Sequence, residues 1–227
     1  MGSEKGMVVV AGATGRTGRL IVEELAKKGF SVKAIVRSAA RASWLNQEGV
    51  AVVEGDITSV TSLERIMEGA HFVISALGSK KPFSKRENNK VDNLGNQNLA
   101  RAAKAKGIRH LVVVSSIGVG DSKYALNILF RLLMGPVLRM KGRSEEFIRT
   151  CDLSYTIIRP GGLRDTEISG EIAFGEGGKI SGSLSRKQVA QVCVDALTNP
   201  AMKNRTLEVV DASTVKEELR PFLITIK

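Results

Sequence analysis

The chain has few of the residues that crosslink proteins or bind metals, with two cysteines and two histidines among 227 residues. Cys151 and Cys193 have no Cys-x-x-Cys spacing and are too few for a disulfide framework. Cys193 lies among valines, which predicts a small core residue. His71 and His110 each precede a strand-like run with no ligand spacing between them, so we predict no metal site.

Long hydrophobic runs are also missing. The nearest one, residues 125–140, is interrupted by Asn127, Arg131 and Arg139 and falls short of the roughly 20 apolar residues of a membrane span. We therefore predict no transmembrane segment. Residues 1–6 are polar and short, which predicts no secretory signal and a cytoplasmic location. The length suits one hydrophobic core, so we expect a single domain over residues 1–227, with its substrate-side elements in the C-terminal third.

Aromatic residues make up 4% of the chain, whereas the formal net charge is +11, from 34 basic and 23 acidic residues. Such a charge suits nucleic acid, an anionic membrane or an anionic ligand. The basic residues are scattered, with one modest cluster at Lys80, Lys81, Lys85 and Arg86. Because aromatic residues do not interleave with them, a base-stacking surface is not supported. We expect the charge to attract an anionic ligand, and no nucleic acid.

The stretch from Met7 to Gly29 is the most informative part of the sequence. An apolar run, residues 7–11, predicts a buried strand, and the amphipathic pattern after the glycines predicts a helix. Gly12 would allow a tight turn, Gly15 the close approach of a ligand, and Gly18 close packing of the helix. Main-chain N–H groups and the positive helix end hold a diphosphate in such a turn. Glycine-rich turns without a ligand also join strands to helices, but here the required strand and helix flank the motif.

Apolar runs and helical patterns alternate along the remaining chain. The predicted strands are residues 7–11, 31–36, 50–53, 72–76, 111–114, 155–158 and 206–210. This order predicts an α/β fold, a doubly wound parallel sheet of about seven strands with helices on both faces, which resembles the Rossmann fold. We expect one helix to end at Gly107, a mostly apolar helix before residue 132, and a further helix around Lys141. Residues 175–182 predict a glycine-rich loop or hairpin, and residues 222–226 an extended tail that packs at an edge.

The second predicted strand ends at Arg37, and no carboxylate stands there. A site for NAD places a carboxylate near this strand end to bond the adenosine ribose. A guanidinium can instead bind a phosphate, so the sequence predicts NADP(H) as the cofactor. A solvated arginine is the alternative.

Other strand ends of such a sheet also face the ligand crevice. Asp56 and Ile57 are therefore candidates for the adenine, and Ala76, Leu77 and Gly78 for the main chain near the ribose. For Asp56, a helix or turn cap is the alternative.

Three further segments carry a family resemblance: residues 91–119, the run from Lys141 through residues 155–163, and residues 183–197. With the motif GATGRTG they span most of the chain in the right order. Together the sequence resembles the atypical short-chain dehydrogenase/reductases of the NAD(P)H-binding group. That group includes NmrA-like proteins, biliverdin reductase B/flavin reductase-like enzymes and plastid Rossmann proteins.

The resemblance implies a role for each matching position. Ser115 and Ser116 would line the nicotinamide end, and Lys141 would bond the nicotinamide ribose. The residues implied at the diphosphate are Gly12, Thr14, Gly15, Arg16, Thr17 and Gly18. The residues implied beside the nicotinamide ring are Pro160, Gly161, Gly162 and Leu163.

The sequence departs from the family at the proton donor. Carbonyl-reducing members use Tyr-x-x-x-Lys, in which the lysine lowers the pKa of the tyrosine that donates the proton. Counting back from Lys141, the tyrosine position holds Val137. Ser116 and Lys141 remain as the catalytic candidates. Lys141 has an alternative role, an i,i+4 pair with Glu145 on a helix surface.

Two functions are consistent with these features. The first is an oxidoreductase that passes hydride from NADPH to a conjugated acceptor such as a quinone or flavin, which delocalises the added charge and needs no positioned acid. The second is an NADP(H)-binding sensor or scaffold without turnover, which the glycine turn and Arg37 would serve equally. We expect a monomer or weak homo-oligomer, and the sequence names no protein partner.

Overall fold

Ten strands and six α-helices are found in the computed structural model, which describes residues 5–45, 47–125, 127–168 and 170–226. The strands are β1 (Met7–Ala11), β2 (Ser31–Val36), β3 (Val50–Glu54), β4 (Phe72–Ser75), β5 (His110–Val114), β6 (Tyr155–Pro160), β7 (Gly162–Arg164), β8 (Ile172–Gly175), β9 (Ser183–Ser185) and β10 (Arg205–Asp211). The α-helices are α1 (Arg16–Lys27), α2 (Val60–Ile66), α3 (Lys85–Asn88), α4 (Asn96–Ala105), α5 (Ile128–Arg149) and α6 (Arg186–Asp195). A π-helical turn, Asn89–Gly95, joins α3 to α4. Short 3₁₀ turns cover Ala40–Leu45, Gly120–Ala125, Pro200–Met202, Ala212–Thr214 and Glu217–Phe222.

Eight strands form the main sheet, in the order β3-β2-β1-β4-β5-β6-β10-β8. All neighbours are parallel except β8, which runs antiparallel to β10. The order reverses between β1 and β4, which is the switch point where ligands bind in doubly wound sheets. The predicted α/β Rossmann-like fold is thus confirmed.

The sheet is covered by helices on both faces because its central strands β1, β4 and β5 are mostly apolar and buried. Val8 and Val10 of β1 pack in one core cluster, which includes Ile21 of α1 and Val189 of α6. Alternate residues of a strand point to opposite faces. Val9 and Ala11 accordingly lie on the opposite face and belong to a second core cluster, which includes residues of α2, α4 and α5.

The strand count is higher than the seven expected, although all seven predicted strands are present. β7 and β9 form a separate two-stranded sheet, and β8 adds an edge strand. Strand β8 has only four residues and ends in glycine, so its local sequence has the pattern of a loop. It becomes a strand because it pairs with the open edge of β10. The tail packs at this same edge, as expected, through a bridge between Ile224 and Phe174.

Helix α5 is continuous where the sequence predicted two helices. Pro136 lies inside it, and a proline within a helix costs roughly 3 kcal/mol because it removes one hydrogen bond and crowds a carbonyl. The same helix buries Val137, Leu138 and Ile148. Each such side chain stabilises by about 1.5–3 kcal/mol, so packing outweighs the local break.

Candidate functional site

The glycine turn after β1 is shaped by close main-chain contacts. Gly12 has φ +82, and a Cβ there would lie 2.5 Å from the carbonyl oxygen of Ala76 after β4. A Cβ on Gly18 would overlap the carbonyl oxygen of Gly12. Only glycine therefore allows β1, α1 and the end of β4 to meet so closely.

Gly15 differs from these two glycines, since its own contacts are looser. It is the N-cap of α1 with φ −80, and a Cβ there would have one near neighbour, the Gly12 carbonyl oxygen at 3.2 Å. Its N–H donates to that same oxygen at 2.9 Å. The remaining space opens into the cavity that Gly15 lines.

The start of α1 suits an anion. The first N–H groups of a helix have no acceptor within the helix. No side chain caps α1, and its first turn has no acidic residue. Free N–H groups and the positive helix end form a site that fits a diphosphate.

A cavity of about 410 Å³ extends from this turn along the carboxyl edge of the sheet. Nine residues predicted to bind the cofactor line it: Gly12, Thr14, Gly15, Arg37, Asp56, Ile57, Ala76, Leu77 and Gly78. Lys80, Lys81 and Lys90 line it too, although the sequence reasoning did not assign them to the site. The predicted residues that do not line it are Arg16, Thr17, Gly18, Ser115, Ser116, Lys141, Pro160, Gly161, Gly162 and Leu163.

Arg37 lies at the end of this cavity that follows β2. Its side chain is exposed and forms no hydrogen bond or ion pair within the described residues. Glu54, at the end of the neighbouring strand, accepts a hydrogen bond from the Ala39 N–H at 2.7 Å. This carboxylate thus fixes the segment after Arg37, and the guanidinium is left available for an anion.

Asp56 is held by its own turn. Its two carboxylate oxygens accept hydrogen bonds from the Thr58 N–H at 2.8 Å and the Thr58 hydroxyl at 2.7 Å. The bond from the Thr58 N–H is the main reason why the pKa of Asp56 is lowered. The turn-cap alternative is therefore present, and Asp56 lines the cavity as well.

Lys141 lies where β4 and β5 end. Its ammonium nitrogen is 3.2 Å from Oδ1 of Asp92 and 3.4 Å from the carbonyl oxygens of Leu77 and Val114. The i,i+4 pair with Glu145 is not formed, because Glu145 lies in the core and pairs with other groups. Asp92 belongs to the π-helical turn and to a segment that carries the family resemblance, but the sequence assigned it no role.

The partners of Glu145 form a buried network beside Lys141. Arg159 donates to its two carboxylate oxygens at 3.2 and 2.7 Å, and Arg149 donates at 2.8 Å. The hydroxyl of Ser115 also donates to Glu145, at 2.5 Å. Ser115 is thus committed to an internal bond. The hydroxyl of Ser116 donates to the Ile117 carbonyl at 2.8 Å.

The segment expected beside the nicotinamide ring is tied to the glycine turn. It begins where β6 ends at Pro160, and its main chain continues into β7. Asp165, just beyond β7, accepts from the guanidinium of Arg16 at 2.6 Å and from that of Arg186 at 2.6 Å. The sequence did not predict a role for Asp165. An exposed carboxylate in a loop has no local sequence pattern that marks it as a link between the starts of two helices.

A glycine turn at the switch point of a doubly wound sheet defines a Rossmann-type nucleotide-binding protein. The profile of the NAD(P)H-binding family matches residues 12–200. An uncharacterized chloroplastic protein of Arabidopsis thaliana is 36% identical over 97% of this chain and 82% of its own length. The chain belongs to the NAD(P)H-binding family.

Other relatives agree with this family. Sanguinarine reductase of Eschscholzia californica is 29% identical over 91% of this chain and 89% of its own length. TIC 62 of Arabidopsis thaliana is 32% identical over 93% of this chain, which spans only 36% of the length of TIC 62. Among solved structures, ChuY, an anaerobillin reductase from Escherichia coli O157:H7, is 26% identical, with a TM-score of 0.80 over 91% of this chain and 97% of its own.

Two structural features are absent from the described part of the chain. It contains no helix long and apolar enough to cross a membrane. It also contains no group of three or more His, Cys, Asp or Glu side chains placed to hold a metal ion.

Proposed function

We propose that this protein is an NADPH-dependent oxidoreductase that passes hydride to a conjugated acceptor such as a quinone or flavin. The observation that carries the proposal is the cavity that joins the glycine turn to the unpaired guanidinium of Arg37. A guanidinium there favours the 2′-phosphate that distinguishes NADP from NAD. Lys80, Lys81 and Lys90 add positive charge to the same cavity.

The residues of the glycine turn would hold the diphosphate, with the free N–H groups of Arg16, Thr17 and Gly18 at the start of α1. For the side chain of Arg16 to take part, its exposed pair with Asp165 must open. Such exposed pairs contribute little to stability. Thr14 and Gly15 would line the path of the diphosphate, and Asp56 and Ile57 would border the adenine.

The nicotinamide end would lie where β4, β5 and β6 end. When bound, the cofactor supplies the hydride, and the protein orients it and excludes water. Lys141 contacts its three acceptors at 3.2 Å or more, and a ribose hydroxyl could replace one of them. Pro160 to Leu163 would border the ring, and Ser116 would offer a hydroxyl to the acceptor.

Val137 determines which acceptors are suitable. By the family resemblance it would stand at the tyrosine position, and its buried hydrocarbon side chain has no proton to donate. A quinone or flavin delocalises the negative charge that hydride brings, and water can protonate it later. The reductases among the relatives, sanguinarine reductase and ChuY, support a reductase here.

A second candidate is an NADP(H)-binding sensor or scaffold without turnover. Two observations favour it: the hydroxyl of Ser115 is committed to Glu145, and Val137 stands in place of the acid. In either case we infer that residues 1–227 act as one NAD(P)-binding unit, whose C-terminal third supplies the acceptor side. A cytoplasmic location stays a prediction, and the relatives described above include chloroplastic proteins.

One experiment separates the two candidates. NADPH oxidation is followed with a panel of quinones, flavins and aldehydes, and the affinity for NADPH and NADH is measured by calorimetry. Turnover with a quinone or flavin supports the oxidoreductase. Tight NADPH binding with no turnover for any acceptor supports the sensor, and failure to bind either cofactor rejects both.

A further inference from the structure

The first turns of α5 expose large apolar side chains. Leu129 is 75% exposed, Leu132 74% and Ile128 71%, and Leu133 is also exposed. Their i, i+1, i+4, i+5 spacing places these four on one face of the helix, and Tyr124 in the preceding turn is 72% exposed. We call these five residues the α5 apolar end. Single exposed leucines are ordinary, but a contiguous set marks a surface that contacts something apolar.

The segment that carries the α5 apolar end is basic, and the acidic residue just before it, Asp121, is paired with Arg159. Residues 122–143 contain five basic residues and no acidic residue. The ammonium of Lys123 lies 4.8 Å and the guanidinium of Arg131 5.0 Å from the centre of the Tyr124 ring. Arg139 is exposed further along the helix. Lys123 and Arg131 therefore border the apolar surface, whereas Lys141 lies further along the helix and pairs with Asp92.

The α5 apolar end projects from the edge of the sheet that carries the cavity. Lys141 marks this edge, because its ammonium contacts the carbonyl oxygens that follow β4 and end β5. Ile128 begins the helix 13 residues earlier. At 1.5 Å per residue, the helix start lies about 20 Å beyond Lys141 along the axis.

We propose that the α5 apolar end docks on the surface of an anionic lipid bilayer. A helix with an apolar face and flanking lysine or arginine lies in the interface, with the apolar side chains in the boundary between headgroups and acyl chains. Lys123 and Arg131 would meet the lipid phosphates. The contact is peripheral, since no helix in the described part of the chain is long and apolar enough to span a bilayer.

Charge favours a lipid surface over a second copy of the chain. A second copy would bring the same basic segment, without acidic residues, and its own net charge of +11. Bringing two such surfaces together is opposed by repulsion, whereas an anionic bilayer attracts both the segment and the whole protein. The docked protein would turn its cavity edge toward the membrane. If the proposed function holds, this orientation suits an acceptor dissolved in lipid.

The test is sedimentation of the purified full chain with phosphatidylcholine vesicles, with and without phosphatidylglycerol. We expect binding to the anionic vesicles that weakens with salt, and at least tenfold weaker binding by Leu129→Ser/Leu132→Ser. For Lys123→Gln/Arg131→Gln, the affinity for the anionic vesicles should fall about fivefold for each cation removed. Phe222→Ser is the control, because this exposed aromatic residue lies outside the α5 apolar end, and it should bind as the wild type does.

Thermal unfolding and NADPH affinity show that each variant is folded, and neither should change. The proposal is overturned if the wild type does not bind anionic vesicles, or if Leu129→Ser/Leu132→Ser binds them equally well. One further result would overturn it. In that case the wild type is a dimer that does not bind vesicles, and Leu129→Ser/Leu132→Ser converts this dimer to a monomer. Arg37→Ala separates the two proposals. If this variant loses NADPH affinity but still binds vesicles, the membrane contact does not depend on the proposed function.

Discussion

The ammonium nitrogen of Lys141 lies 3.2 Å from a carboxylate oxygen of Asp92, which has no exposed surface. The pair joins α5 to the π-helical turn before α4. The other oxygen of Asp92 accepts from the Ser79 N–H at 3.2 Å, which ties the loop after β4 to the same point. π-Turns within helices are frequent at functional sites, and this one places a buried charge next to Leu77 and Ser79, which line the cavity.

Replacement of Asp92 by alanine should destabilise the fold. It would leave the ammonium of Lys141, whose side chain is 12% exposed, without its partner, at a cost of about 3 kcal/mol in the free energy of unfolding. Urea denaturation of Asp92→Ala measures this loss. Adding Lys141→Met to Asp92→Ala should restore part of the stability, because no unpaired charge remains. An Asp92→Ala variant as stable as the wild type would contradict this assignment.

Arg37→Ala should remove the preference for NADP(H). Loss of a charge-assisted bond to the 2′-phosphate costs about 1.5–3 kcal/mol, which is roughly tenfold to a hundredfold in affinity. Calorimetric titration should show this loss for NADPH and little change for NADH. Arg41→Ala, which changes an exposed arginine that does not line the cavity, is the matched control. Equal affinity of the wild type for both cofactors would disprove the assignment.

Gly15→Val should abolish the binding of either cofactor while the chain stays folded. Among the described residues, a Cβ there has one near neighbour, the Gly12 carbonyl oxygen at 3.2 Å, so the turn need shift by only a few tenths of an ångström. The valine side chain would then occupy the space of the diphosphate. Calorimetry and thermal unfolding measure the two effects separately. Gly18→Val is the contrasting variant and should unfold, because its Cβ would overlap the turn. Binding at wild-type strength by a folded Gly15→Val would place the diphosphate elsewhere.

The protein should lose stability as the pH falls from about 6.5 to about 4. Burial, with a smaller contribution from Lys203, lowers the pKa of His110 to about 4, against about 6.5 for an exposed histidine. Between these values the unfolded chain binds a proton that the folded chain does not, which lowers the free energy of unfolding by roughly 3 kcal/mol. Denaturation of wild type and His110→Gln across this range isolates the effect. Parallel pH profiles for the two proteins would refute it.

Turnover should be confined to acceptors that need no positioned acid. General acid catalysis typically contributes about 10²–10⁴-fold in rate, and Val137 cannot supply it. Ketones and aldehydes should therefore react slowly, while quinones or flavins react well. Lys141→Ala should lower quinone turnover through cofactor placement, and Ser116→Ala should lower it less. Efficient reduction of a simple aldehyde would contradict this prediction, because it would mean that another residue donates the proton.

The local sequence was sufficient for most of the strand and helix pattern. Strand β1, the three glycines and α1 are contiguous, so the period of the apolar residues and the glycine spacing predict them together. The prediction for Arg37 also depended on local sequence, namely its position at the end of β2. The parallel sheet then follows from the alternation of strands and helices.

The local pattern failed where distant packing outweighs it. The sequence predicted two helices where α5 is continuous, because burial of the residues after Pro136 keeps the helix unbroken. Strand β8 was missed because only its pairing with β10 makes a strand of it.

By itself, then, the sequence determined the Rossmann-like fold and the glycine turn, because those signals depend on neighbouring residues. Only the tertiary structure decided the partner of Lys141, since helix spacing offered Glu145 and the fold supplied Asp92 from a distant segment. It also decided that Arg16 and Arg186 share Asp165, the residue after β7. The α5 apolar end has the pattern of a core helix, and only the tertiary structure shows that its side chains are exposed among the described residues.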